Sequence, residues 1–184
     1  MSRQFWTETI TWATASGAAV ANTTSETILF PNITIPGNFL QDGRSLRLVA
    51  FGQYSTTATP TLIFTLRWGG VAGTVICKTA AVTLPTVTAA GWMHQIYITT
   101  RSNGSVGTIM GNGIAHVFAG VAATVAASTG AAADTPFMNG GVLTPAVATI
   151  DLTADTALSL TATWSAASAS NTTTGLNYTI EALN

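Results

Sequence analysis

Two histidines, one cysteine and seven carboxylates are the stock from which this 184-residue chain could build an ionisable active site. His94 and His116 both fall in strand-like runs, and no third ligand stands at a spacing that would mark a zinc or cupin-like metal site, so both read as structural. Asp151 and Asp155 bracket a turn. A carboxylate pair can hydrolyse a glycoside or hold calcium. This single spacing lacks the oxygen-rich series of a calcium loop, however, and Asp at strand ends commonly accepts hydrogen bonds from turn amides. Serine, histidine and aspartate are all present, but no Gly-x-Ser-x-Gly elbow is. The run Gly69-Gly70-Val71-Ala72-Gly73-Thr74 lacks the lysine and following helix of a phosphate loop and reads as a hairpin. Cys77, in the strand-like run Thr74 to Lys78, has no intrachain disulfide partner and reads as a small buried hydrophobe. Asn-x-Ser/Thr triplets starting at Asn22, Asn32, Asn103, Asn171 and Asn177 are what a Thr-rich chain produces by chance. The expectation is a protein that is not an enzyme, with no catalytic, cofactor-binding or metal site.

Composition points the same way. Apolar residues make up 47% of the chain and charged ones 7%, against roughly 25% charged in an ordinary soluble protein. The net charge of −1 falls short of the about 2 to 8 that keeps small domains apart. Such a surface must be carried by Thr, Ser, Asn, Gln and Gly or be covered by neighbouring subunits, and an uncharged face packs against protein without stripping water from ions. One lysine and five scattered arginines make no basic patch, which excludes nucleic acid as a partner. No run approaches the ~20 apolar residues of a spanning helix. The longest, Ala115 to Ala133, is broken by Gly120, Thr124, Ser128, Thr129 and Gly130. The N-terminus has no apolar secretory segment, so synthesis in a cytoplasm is expected.

The elements that would position these residues are strands. Period-two alternation recurs from Trp6, Glu8, Ile10 and Trp12, expected on one face of the first run, to Leu176, Tyr178, Ile180 and Ala182, expected on one face of the last. Between them, Leu46, Leu48 and Ala50 oppose Arg47, Val49 and Phe51; Leu62, Phe64, Leu66 and Trp68 oppose Ile63, Thr65 and Arg67. Trp92, His94, Ile96 and Ile98 oppose Met93, Gln95, Tyr97, Thr99 and Arg101. Pro31 makes Thr27 to Ile35 an edge strand or a bulged one, and Asn103-Gly104 signals a hairpin of the type I′ kind. About nine or ten strands without a convincing helix give an all-β antiparallel sandwich of jelly-roll type, one domain over 1–184. An N-terminal arm is placed at 1–24 and a long surface excursion at 120–141.

Three passages resemble structural proteins of tailed bacteriophages, a loose family of jelly-roll virion components. They are Thr23-Thr24-Ser25-Glu26-Thr27 through Ile33 to Leu40 and Gly43 to Leu48; Pro60-Thr61-Leu62 through Leu66-Arg67-Trp68-Gly69-Gly70 to Gly73-Thr74; and Ala162-Thr163-Trp164 through Thr172. The resemblance implies a capsid decoration, or cement, protein: a homotrimer on the capsid exterior that clamps the major capsid protein, with no membrane or small-molecule substrate. A head- or tail-fibre module binding a receptor or glycan is the alternative, for which Trp92, Tyr97 or Tyr54 beside Asn or Gln would be the stacking residues. Phe5, Trp6 and Trp12 are the candidate contacts with capsid or subunit, since aromatic residues near a terminus suit an arm laid on a neighbour.

Overall fold

The computed structural model describes residues 7–31, 33–118, 133–138 and 147–183, and every regular element among them is a strand. In chain order they are β1 (Glu8–Trp12), β2 (Val20–Ala21), β3 (Thr27–Ile28), β4 (Ile33–Ile35), β5 (Ser45–Thr56), β6 (Thr61–Trp68), β7 (Thr74–Lys78), β8 (Val82–Thr83), β9 (Val87–Ser102), β10 (Gly107–Val117), β11 (Ala133–Met138), β12 (Ala148–Ile150), β13 (Thr156–Trp164) and β14 (Thr172–Ala182). The count exceeds the expected nine or ten because β2, β3, β4, β8 and β12 hold two or three residues each, too few to display a period.

All pairings are antiparallel. One layer runs β1-β14-β5-β9-β10 and the other β7-β6-β13-β3, joined along one side by β11, which pairs β10 over six residues and touches β7 at Met138↔Lys78. Leaving aside the β10–β12 insertion, β1-β14-β5-β9 faces β3-β13-β6-β7. That order, with the chain crossing repeatedly between layers, is a jelly roll. Burial follows the alternation that called the strands: in β5 the inward set is Leu46, Leu48, Ala50, Gly52 and Tyr54. The core between the layers includes Leu29, Phe30, Phe64, Leu66, Trp92, Ile96, Leu160, Trp164 and Ile180.

Several local expectations need correction. The bulge between Thr9 and Thr11 places Glu8 opposite inward Ala182 and Trp12 opposite outward Thr179, so these two do not share a face. Leu176 sits in a bulge between Gly175 and Asn177 and is turned out, 40% exposed, away from Tyr178 and Ile180. Of Asn103 and Gly104 only Gly104 has positive φ (100°), so the hairpin is not type I′, which needs two such residues; it is a longer loop followed by a bulge at Thr108/Ile109. Thr27 to Ile35 is interrupted around Pro31 into β3 and β4, both on the β13 edge. The stretch 120–141 contains β11, not solely an excursion; its remaining residues lie outside those described. Within 1–24, β1 and β2 are laid along β14.

Charge is used sparingly to tie strands together. Arg67 on β6 donates Nε and Nη2 to the two carboxylate oxygens of Glu26, both at 2.6 Å, and Nη1 to the Gly73 carbonyl at 2.7 Å. Burial works to raise the Glu26 pKa, but hydrogen bonds from Arg67 and Thr161 outweigh it and hold the carboxyl below its usual range.

Candidate interaction surface

The residues expected to do chemistry are dispersed. His94 lies in the core, its ring stacked on Trp92 at 4.5 Å and 15° and edge-on to Phe64 at 4.2 Å. Burial holds its pKa down to about 3, so the ring is neutral near pH 7. His116 is half-buried on the opposite face of the sheet. Cys77 is fully buried, and burial pushes its thiol up, out of the range of a nucleophile. Asp151 accepts the Thr153 amide at 2.8 Å and hydroxyl at 2.6 Å, which hold its carboxyl below the usual range, while Asp155 accepts the Gly37 amide at 2.8 Å. Among the described residues no three of His, Cys, Asp and Glu gather where a metal could bind.

Two of the three aromatic residues named for a glycan site are interior. Trp92 is 1% exposed and donates its indole N–H to Thr173 Oγ1 at 3.0 Å. Tyr54 is equally buried, donates to the Phe118 carbonyl at 2.7 Å, and burial lifts its pKa to about 12. Tyr97 alone of the three reaches solvent. Phe5 and Trp6 lie outside the described residues, and Trp12 stands 59% exposed on the edge strand β1.

Trp12 lies on the outward face of the layer that begins with β1. Register places Trp12, Thr179, Val49, Gln95 and Ile114 in one row across β1, β14, β5, β9 and β10. The row on one side holds Asn177, Phe51, Met93 and His116; that on the other holds Glu181, Arg47, Tyr97 and Asn112. All point away from the core, since their chain neighbours Leu48, Ala50, Trp92, Ile96, Ala115 and Ile180 point into it. Phe51 is 43% exposed and Tyr97 37%. The face thus carries Trp12, Val49, Phe51, Met93, Tyr97 and Ile114 outward, among amides and hydroxyls.

Its charges cancel locally. Arg47 Nε donates to Glu181 Oε2 at 2.8 Å and Nη2 to the same oxygen at 2.5 Å, which raises the Arg47 pKa and leaves no unmatched charge from this pair. Gln95 Nε2 donates to the Tyr97 hydroxyl at 2.6 Å, fixing that amide beside the ring. Nearly uncharged and partly apolar over the three rows, the face is suited to burial against another molecule. Sequence reasoning named Trp12 and Tyr97 but passed over Phe51, Val49, Met93 and Ile114. The signal was present, because the outward sets of β5 and β9 carry Val49, Phe51, Met93 and Tyr97 among their polar residues, where a face turned to water needs none of them.

No family model matches this sequence, and no curated protein matches it. Among solved structures the chain is similar to one described as the CBM2 module of Lactobacillus casei BL23 phage J-1 evolved Dit, at 10% sequence identity over 97% of each chain, with a TM-score of 0.38. At that level the likeness carries no argument about this chain.

Proposed function

We propose that this chain is a virion structural protein of a tailed phage, of the capsid decoration type, whose outward β1-β14-β5-β9-β10 face docks on neighbouring protein. The observation that carries the reading is the row set just described: six apolar side chains on the outward face of β1, β5, β9 and β10, of which Trp12, Phe51 and Tyr97 are exposed and Val49, Met93 and Ile114 half-buried, with one internally cancelled ion pair. A free monomer gains nothing from such a face, whereas a protein repeated over a lattice gains a modest contact many times over. The resemblance of Thr23 to Leu48, Pro60 to Thr74 and Ala162 to Thr172 to phage virion proteins supplies the setting, the major capsid protein the partner, and a homotrimer the assembly. A fibre module that binds glycan is the second reading, favoured by Tyr97 lying open beside the Gln95 amide and Asn112, a ring and polar groups able to meet a sugar's faces and hydroxyls.

Co-sedimentation with capsids of the phage that encodes the chain tests the proposal. Wild-type protein is expected to pellet with capsids and Phe51→Asp to stay in the supernatant. Absence from capsids and virions alike would overturn the reading, and binding to host polysaccharide without capsid binding would transfer it to the fibre module.

A further inference from the structure

The chain contains two Asn-Gly pairs whose surroundings are described, and the fold treats them oppositely. Asn112-Gly113 lies inside β10, paired with Tyr97 and Ile96 of β9 on one side and with Met138 and Phe137 of β11 on the other. A Cβ at Gly113 would stand 2.2 Å from the Gln95 carbonyl, so the backbone is locked by close neighbours. Asn103-Gly104 lies in the exposed β9–β10 connection, where Gly104 takes φ +100° and a Cβ would meet nothing within 4 Å.

We infer that Asn103 is a site of spontaneous deamidation, and that its conversion unlatches one end of the sandwich. The deprotonated Gly104 amide nitrogen attacks Asn103 Cγ; the new N–Cγ bond closes a succinimide as the Cγ–Nδ2 bond breaks and nitrogen leaves as ammonia, carrying the displaced proton. Water then opens the ring at either carbonyl, giving aspartate or isoaspartate. The step needs an amide outside the strand ladder and a backbone not hemmed in by its neighbours, conditions that Gly104 meets and Gly113 does not. Asparagine is among the thermally labile residues for this kind of reason.

The latch is defined by its bonds. Asn103 Nδ2 donates to Gln41 Oε1 at 2.7 Å, and the Asn103 backbone N–H donates to Asp42 Oδ1 at 2.7 Å, tying the connection to the loop before β5. The Gly104 carbonyl accepts from Gly107 N and from Leu152 N, both at 3.1 Å, bringing in the segment after β12. A carboxylate at position 103 has no proton for Gln41 and sets a second negative charge beside Asp42. Isoaspartate also lengthens the backbone where Gly104 must meet two donors.

The test is incubation of the folded wild-type chain at mildly alkaline pH, with peptide mapping by mass spectrometry that separates isoaspartate from aspartate. Conversion at Asn103 is expected to outrun that at Asn112 by about a hundredfold or more, because a central strand opens rarely, and the gap is expected to close when the chain is unfolded in denaturant. Equal rates in the folded chain, or no reaction at Asn103 while the unfolded chain reacts there, would overturn the site. Hydrogen exchange on Asn103→Asp and Asn103→Gln tests the latch: faster exchange at 37–44 in the first than in the second is expected, and equal exchange would show that the charge unlatches nothing.

Discussion

Along β9, neighbouring side chains live in different worlds. Trp92, His94, Ile96 and Ile98 are sealed between the layers, while Met93, Gln95, Tyr97 and Thr99 stand on the outward face. Both sets are rich in large apolar groups, yet the inner set is held by ring stacking and an indole hydrogen bond, and the outer set has only its strand neighbours for support. The difference teaches that apolar character on this sheet answers two demands, the stability of the fold on one side and docking on the other, and that substitutions should separate them.

The comparison breaks most sharply inside. Trp92→Ala is expected to cost about 3–5 kcal/mol in urea unfolding, since it empties the space between Phe30, Phe64 and His94 and removes the indole N–H that the Thr173 hydroxyl accepts. His94 gives the next effect. Its pKa is 6.5 when unfolded and about 3 when folded, so the unfolded chain binds more protons between those values. Stability therefore falls as pH drops from about 6.5, by up to about 1.4 kcal/mol per unit. Glu26, depressed from 4.5, adds its loss only below that pH, so melting temperatures between about pH 6.5 and 5 isolate His94. His94→Phe is expected to flatten that limb.

Outside, the effects shrink. Glu181→Gln weakens a pair at the rim of the docking face, where solvent screens it, and is expected to cost less than about 1 kcal/mol. Phe51→Asp, the variant expected to lose capsid binding, should leave unfolding unchanged within about 0.5 kcal/mol. A large loss of stability from Phe51→Asp would show that the outer set supports the fold after all and would collapse the distinction.

Much of this organisation was legible from alternation. The faces of β5, β6 and β9 came out as read, because each strand is long enough to repeat its period several times. What escaped were features that depend on a partner strand. The bulges beside Ile10 and at Leu176 add a residue to one strand against its neighbour, and nothing in the local sequence records which residue is extra. Trp92 and Tyr54 were offered for sugar stacking because alternation shows which residues share a face and is silent on which face is inward. The docking face was half legible: Trp12 and Tyr97 were named for their type, but their union with Phe51 and Met93 needed the strand order.

The side on which β11 joins the two layers also bears on colloidal behaviour. A chain rich in Thr and Val with a net charge of −1 is prone to edge-to-edge strand accretion. On the side away from β11, the described strands end at β1 with β2 and at β3 with β4. Both are poor templates: the first is bent by its bulge, and the second is broken between Ile28 and Ile33, where Pro31 has no N–H to donate. At these two edges the fold thus replaces the charge that usually keeps strands from fusing into fibrils with a bulge and a proline.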